Sequence, residues 1–245
     1  MNIRLLPSGE QAMVIEFGDK IDQEINIKVH RFAKLLADLK DDRIIEIVPT
    51  YRSLLVQFDL ARIKREELAD IVHKSLASMK DGEEDSSPRK IVYVPVCYGG
   101  EFGPDMNFVM EHTKLPAEEI IAIHTGTPYL VYMLGFTAGF PYLGGMSEKI
   151  ATPRLKTPRT KIPAGSVGIA GSQTGLYPIE SPGGWQLIGR TPIKAFSPQS
   201  ENPFMFAAGD YLQFRAVSRN EYDQIAQQVA SGKYTAETGV VEKGR

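Results

Sequence analysis

The sequence predicts an α+β domain followed by a mainly-β domain, and three observations carry that reading. Residues up to about 80 alternate short apolar runs with segments of helical periodicity. From Lys80 to Lys90 no side chain is apolar. Beyond that stretch, glycine and proline become dense and β-branched runs become short.

Each element follows from its residues. Ile3 to Leu6 predicts a first strand, and Ala12 to Phe17, ending at Gly18, a second. Ile25, Val29, Phe32, Leu36 and Leu39 recur at helical spacing and predict an amphipathic helix over 21–40. Ile44 to Val48 and Ser53 to Phe58 read as strands on either side of Pro49. Leu68, Ile71, Val72 and Leu76 place a helix between Lys64 and Met79. The order ββαββα predicts a small open sandwich with helices on one face of the sheet. A segment with nothing to bury cannot offset its ordering entropy, so 81–89 reads as a linker between domains 1–80 and 90–245.

The second domain opens with a strand from Lys90 to Val96. Pro116, followed by Glu118 and Glu119, starts a short helix through His124, since a first-turn proline and acidic residues suit the positive helix end. Pro128 to Phe136 reads as a strand. Gly135 to Pro192 then holds 11 of the 22 glycines, so many short strands and turns, in a closed barrel or a sandwich, are expected there. Tyr211 to Val217 reads as a late strand, Glu221, Ile225 and Val229 as a last helix, and the tail from Ser231 as frayed.

Composition narrows the function. A net charge of −2 gives no global pull toward nucleic acid or anionic membrane. No apolar run approaches the roughly 18 residues of a membrane span, the N-terminus lacks a signal-peptide core, and the single Cys97 allows no intrachain disulfide, so a cytoplasmic protein is expected. There is no Walker phosphate loop, no dinucleotide fingerprint and no Gly-x-Ser-x-Gly elbow. The four histidines are scattered, and no zinc site is expected.

Four stretches still carry chemistry. His124 ends a helix, where the C-terminal dipole favours its charged form; it is either a helix-end cap or a site residue. Thr152-Pro153-Arg154 recurs as Thr157-Pro158-Arg159, placing two anion-binding guanidiniums behind stiff prolines. In a straight strand that offset sends them to opposite faces, so convergence on one anion needs a turn. Gly171-Ser172-Gln173-Thr174-Gly175 is a polar loop whose backbone N–H groups can form an anion nest, with Gln173 able to bond an amide or carboxylate. Trp185, the only tryptophan, is a core anchor or a pocket wall, and Met133, Phe136, Phe140, Tyr142 and Met146 add an apolar cluster suited to a pocket or partner groove.

These motifs together resemble the allophanate hydrolase subunit 1 family. The resemblance is carried by Gly135-Phe136-x-x-Gly139-Phe140-Pro141-Tyr142-Leu143-x-Gly145, Pro153-Arg154-x-x-x-Pro158-Arg159, Pro163 to Gly171, Gln173-Thr174-Gly175, and Ser181-Pro182-Gly183-Gly184-Trp185-x-Leu187 to Pro192. The family's Gly-Phe-x-Pro-Gly-Phe has Ala138 here in the proline position, which relaxes one point of that loop. The resemblance implies a cyclophilin-like β-barrel for the C-terminal domain. It implies one of two roles. In the first, the chain is the B subunit of an ATP-dependent 5-oxoprolinase, working with the A and C subunits on a small lactam. In the second, it is a KipI-like inhibitor of a sporulation sensor histidine kinase, gripping the kinase dimerisation helices with Met133, Phe136, Phe140 and Tyr142. For the enzyme it implies His124, Arg154 and Arg159 as catalytic groups and Ser172, Gln173, Thr174 and Trp185 as substrate contacts. ATP is then a co-substrate of the complex, bound by a component that the sequence does not identify.

Overall fold

Strict alternation of buried and half-buried residues along Ala12–Glu16 and Ser53–Phe58 fixes the first sheet. In the computed structural model, which describes residues 3–79 and 89–241, the chain divides into two compact units, Met1–Ser87 and Pro88–Arg245. The first has β1 (Arg4–Ser8), β2 (Ala12–Glu16), α1 (Gln23–Asp38), β3 (Ile44–Pro49), β4 (Ser53–Phe58) and α2 (Arg65–Ser78). Its antiparallel sheet runs β1-β2-β4-β3. Register sets Met13 opposite Val56 and Ile15 opposite Leu54, and these buried residues share one core with Val29, Phe32 and Leu36 of α1 and Leu68 and Val72 of α2. Both helices therefore cover the same sheet face. Asp22 caps α1 by accepting from the Glu24 and Ile25 amides. Pro49 is tolerated because it ends the edge strand β3.

The linker expected at 81–89 lies outside the described residues except for Arg89, which already belongs to the next strand. That strand, β5 (Arg89–Tyr98), is followed by α3 (Met106–Thr113), α4 (Ala117–Thr125), β6 (Tyr129–Leu134), β7 (Pro141–Gly144), β8 (Arg159–Ile162), β9 (Ser166–Ala170), β10 (Gln173–Leu176), β11 (Ser181–Gly183), β12 (Gln186–Arg190), β13 (Tyr211–Ala216), α5 (Arg219–Ala230) and β14 (Thr238–Val241). The main sheet runs β10-β9-β12-β5-β13-β6-β7, with β14 on β5. All its pairs are antiparallel except β13 with β5. Its two ends approach each other: a Cβ on Gly175 of β10 would lie 3.3 Å from the Pro141 carbonyl of β7. The result is a nearly closed mixed barrel around Val94, Val96, Val131, Val167, Ile169, Ile188 and Phe214. The strands β8 and β11 form a separate two-stranded ribbon.

Two expectations fail here. No element is predicted over 97–115, yet Asp105 starts α3, which buries Met106 and Val109. The tail from Ser231 is not frayed as far as Val241: β14 pairs with Arg89–Val92 of β5, and Tyr234 and Ala236 pack on the core. The tail is polar overall, so its pairing partner, 146 residues earlier in the chain at closest (Val92 with Thr238), left no local signal.

Candidate functional site

A cavity of about 400 Å³ opens where the 135–140 loop, β7, β10 and the ribbon meet. That size and an aromatic lining suit a small organic ligand. Phe140 anchors it. Its ring stands edge-on to Phe136, Tyr177 and Trp185, each at a centroid distance of 5.7 Å, and is tilted against Tyr142 at 5.3 Å. Edge-to-face pairs gain about 0.5–1.5 kcal/mol each beyond burial. Trp185 is therefore both core anchor and cavity wall: it is buried, packs with Phe140, Ile162 and Tyr177, and lines the opening.

Phe136 forms the exposed lip, with 67% of its surface open. Its φ is +61°, and Thr137 N donates to the Gly135 carbonyl at 2.7 Å. This is a γ-turn of the rarer, positive-φ kind, an unfavourable conformation for a bulky side chain.

Arg154 and Gln173 supply the cavity's polar side chains apart from the phenols. Arg154 has no carboxylate at ion-pair distance among the described residues, so its charge is available to an anion. The Thr-Pro-Arg repeat does bend, but the two arginines do not converge. Arg159, at the start of β8, donates to Asp105 at 2.6 Å and to the Trp185 carbonyl at 3.3 Å. Asp105 uses its other oxygen to accept from Leu187 N at 2.7 Å. Arg159 thus ties α3, β8 and β12 behind the tryptophan, and the expected two-arginine clamp is corrected to one cavity arginine and one internal brace.

The polar loop is also corrected. Gly171 and Ser172 form the two-residue turn between β9 and β10, with Gly171 at φ +60°, where a side chain would be strained. The Gly171 N–H donates to the Thr152 carbonyl at 2.7 Å, so it is not open to an anion. Ser172 is exposed at the turn and does not line the cavity. Met133 lies across from Tyr142 between β6 and β7 and is likewise absent from the lining.

His124 and Thr174 lie elsewhere. His124 is fully buried at the end of α4, stacked on Phe214 at 4.5 Å. The Thr174 hydroxyl donates to the Gly168 carbonyl at 3.0 Å, so it must accept from His124 Nε2 at 2.7 Å. The proton is then on Nε2, and Nδ1 accepts from the Tyr98 hydroxyl at 2.7 Å. Burial lowers the His124 pKa to about 3. The charged histidine expected from the helix dipole is therefore wrong: desolvation outweighs the dipole, and the ring is neutral at neutral pH.

Two cavity-related residues escape the sequence reading. Asp105 carries a usable signal, a helix-starting Asp after Pro104. Tyr177 carries none, because nothing local says which face of the chain reaches the cavity. A second cavity, of about 410 Å³ around Lys90, Phe204 and Asp210, contains none of the motif residues. Among the described residues no helix is long and apolar enough to cross a membrane.

Comparison with known proteins places these features. The chain is 46% identical over 224 residues to the 5-oxoprolinase B subunit of Bacillus subtilis, a match that covers 87% of this chain and 92% of that protein. It is 38% identical over 212 residues to the Haemophilus influenzae protein of the same name, covering 86% of this chain and 97% of that one. The crystal structure of the K. lactis urea amidolyase superimposes with a TM-score of 0.81 over 98% of this chain, at 20% identity and over 16% of that longer chain, so the likeness there is one of fold. The family model described as carboxyltransferase domain, subdomain C and D, matches residues 3–206. With that match spanning both units and the cavity motifs, the chain belongs to the carboxyltransferase-domain family, subdomains C and D.

Proposed function

We propose that this chain is the B subunit of an ATP-dependent 5-oxoprolinase, acting with the A and C subunits, and that its aromatic cavity seats the lactam acid. The observation that carries this reading is the meeting of Arg154 and Gln173 over an aromatic floor in a cavity of about 400 Å³. 5-Oxoproline presents a carboxylate, a ring amide and a flat apolar ring. Arg154 suits the first, Gln173 the second, and Trp185 with Phe140 the third. The near full-length identity to proteins named as the B subunit of 5-oxoprolinase supports the assignment.

The lining contains no carboxylate, histidine, cysteine or serine. Among the described residues a bound lactam would therefore meet an arginine, an amide and two phenols, and in this reading the partner subunits supply the remaining groups for turnover. A single arginine without a phosphate loop does not fit a triphosphate, so no nucleotide step is derived for these residues. His124, buried and neutral, acts at most by holding β10 in place. We read the two units as separate domains, the second as a cyclophilin-like barrel, and the location as cytoplasmic. Inhibition of a sensor histidine kinase is the lesser reading, since its support is the exposed Phe136 lip alone.

The test is ATP-dependent conversion of 5-oxoproline to glutamate by the chain combined with the A and C subunits. Full activity with the Arg154→Ala variant would remove the carboxylate seat, and no activity in the wild-type mixture would remove the enzyme reading. Kinase autophosphorylation at saturating protein checks the alternative.

A further inference from the structure

Tyr177 is 2% exposed, yet its phenol borders the cavity. Its backbone is held on both sides: its N–H donates to the Ser166 carbonyl at 2.9 Å, and its carbonyl accepts from Gly165 N at 2.7 Å. Its ring is wedged edge-on against Phe140 and Trp185. The hydroxyl rests over Gly183, where a Cβ would overlap it and would also lie 2.9 Å from Ile162 Cδ1. A side chain at 183 would displace the phenol. Glycine there preserves the hydroxyl's position.

The state of that hydroxyl also follows. Burial pushes its pKa up to about 12, against the opposing pull of the Trp185 backbone N–H and the nearby Arg154 and Arg159 charges. It keeps its proton at neutral pH. Among the described residues its O–H has no acceptor, and the hydroxyl borders the cavity. A donor held in place at the edge of an open cavity can be met there by the acceptor of a ligand.

We propose that Tyr177 is a ligand-binding and specificity residue, its hydroxyl donating a hydrogen bond to the ring carbonyl of the lactam acid whose carboxylate Arg154 holds. This rests on the reading of the cavity as the seat of that acid. The bond strengthens if the carbonyl oxygen gains charge, so the same contact serves recognition and the reaction. A site built to donate to a carbonyl discriminates strongly against an analogue lacking one.

Trp185 is the only tryptophan and a cavity wall, so its fluorescence reports occupancy directly. Two ring acids separate the contacts: 3-oxocyclopentanecarboxylate keeps the carboxylate and carbonyl of 5-oxoproline without its N–H, and cyclopentanecarboxylate keeps the carboxylate alone. The full chain should bind the first about tenfold more tightly than the second. Tyr177→Phe should erase that preference and leave the affinity for cyclopentanecarboxylate unchanged. Gly183→Ala, which displaces the phenol without removing it, should weaken the preference in the same way. A preference that survives intact in Tyr177→Phe, or equal wild-type affinities, would overturn the Tyr177 contact while the cavity reading stands. If neither acid perturbs Trp185, and 5-oxoproline does not either, the cavity reading falls and the Tyr177 contact falls with it.

Discussion

Gln173 and Thr174 are chain neighbours on β10, and they serve opposite ends of the same physics. Gln173 lines the cavity. Thr174, on the other face of the strand, belongs to a run of hydrogen bonds from Tyr98 through His124 to Gly168 in which every partner is internal. The His124 carbonyl is matched as well, accepting from the Tyr129 hydroxyl at 2.8 Å. The buried run is closed: its donors and acceptors leave nothing for a ligand. The cavity is open: Arg154 lacks a carboxylate and Tyr177 lacks an acceptor among the described residues. A polar group in a family motif is therefore not a site residue on that ground alone. What separates the two classes is whether the fold has already satisfied the group.

Acid is the strongest way to break this contrast. His124 takes up a proton near pH 6.5 when unfolded but only near pH 3 when folded, so its contribution to stability is present above about pH 6.5 and is lost as pH falls toward 3. The loss should reach roughly 4–5 kcal/mol by pH 3. The check is urea unfolding at several pH values for the wild type and His124→Asn. The variant should show a correspondingly shallower acid dependence. Equal slopes would mean that the histidine is not held neutral.

Removing the ring altogether comes next. His124→Ala strands the Tyr98 hydroxyl, takes from Thr174 its donor partner and leaves a cavity under Phe214. A loss of about 3–4 kcal/mol is expected in equilibrium unfolding. Arg154→Ala is the mirror case. Affinity for a ring carboxylate, followed by Trp185 fluorescence, should fall about 10- to 100-fold, the worth of a charge-assisted contact, while stability changes by less than about 0.5 kcal/mol.

Smaller effects sharpen the boundary between brace and cavity. Arg159→Lys keeps the charge beside Asp105 but loses the fork that also reaches the Trp185 carbonyl. It should shift Trp185 emission and cost about 1 kcal/mol of stability, whereas a residue contacting ligand would change affinity without either shift. Phe136→Gly should change the melting midpoint least. The lip is exposed, and glycine accepts φ +61° without strain, so stability should stay within about 1 kcal/mol while ligand binding weakens severalfold.

Periodicity alone determined most of the first unit. The α1 stripe and the alternation of β2 and β4 are local patterns, and the core they form is the one they announce. The motifs alone also named residues that come together, for Phe136, Phe140, Tyr142, Arg154, Gln173 and Trp185 all line one cavity. Three-dimensional contacts decided the rest. Arg154 and Arg159 are the same residue in the same local repeat. What distinguishes them is Asp105, 54 residues before Arg159. The helix end favoured a charged His124, and burial against Phe214 reversed that charge. β14 exists because β5 offers it an edge. Desolvation and partner choice depend on residues distant in the chain, whereas turn chemistry and hydrophobic period depend on near neighbours. That is why the sequence named residues that meet at one cavity, and only the tertiary structure sorted its polar residues into those bonded within the barrel and those lining the cavity.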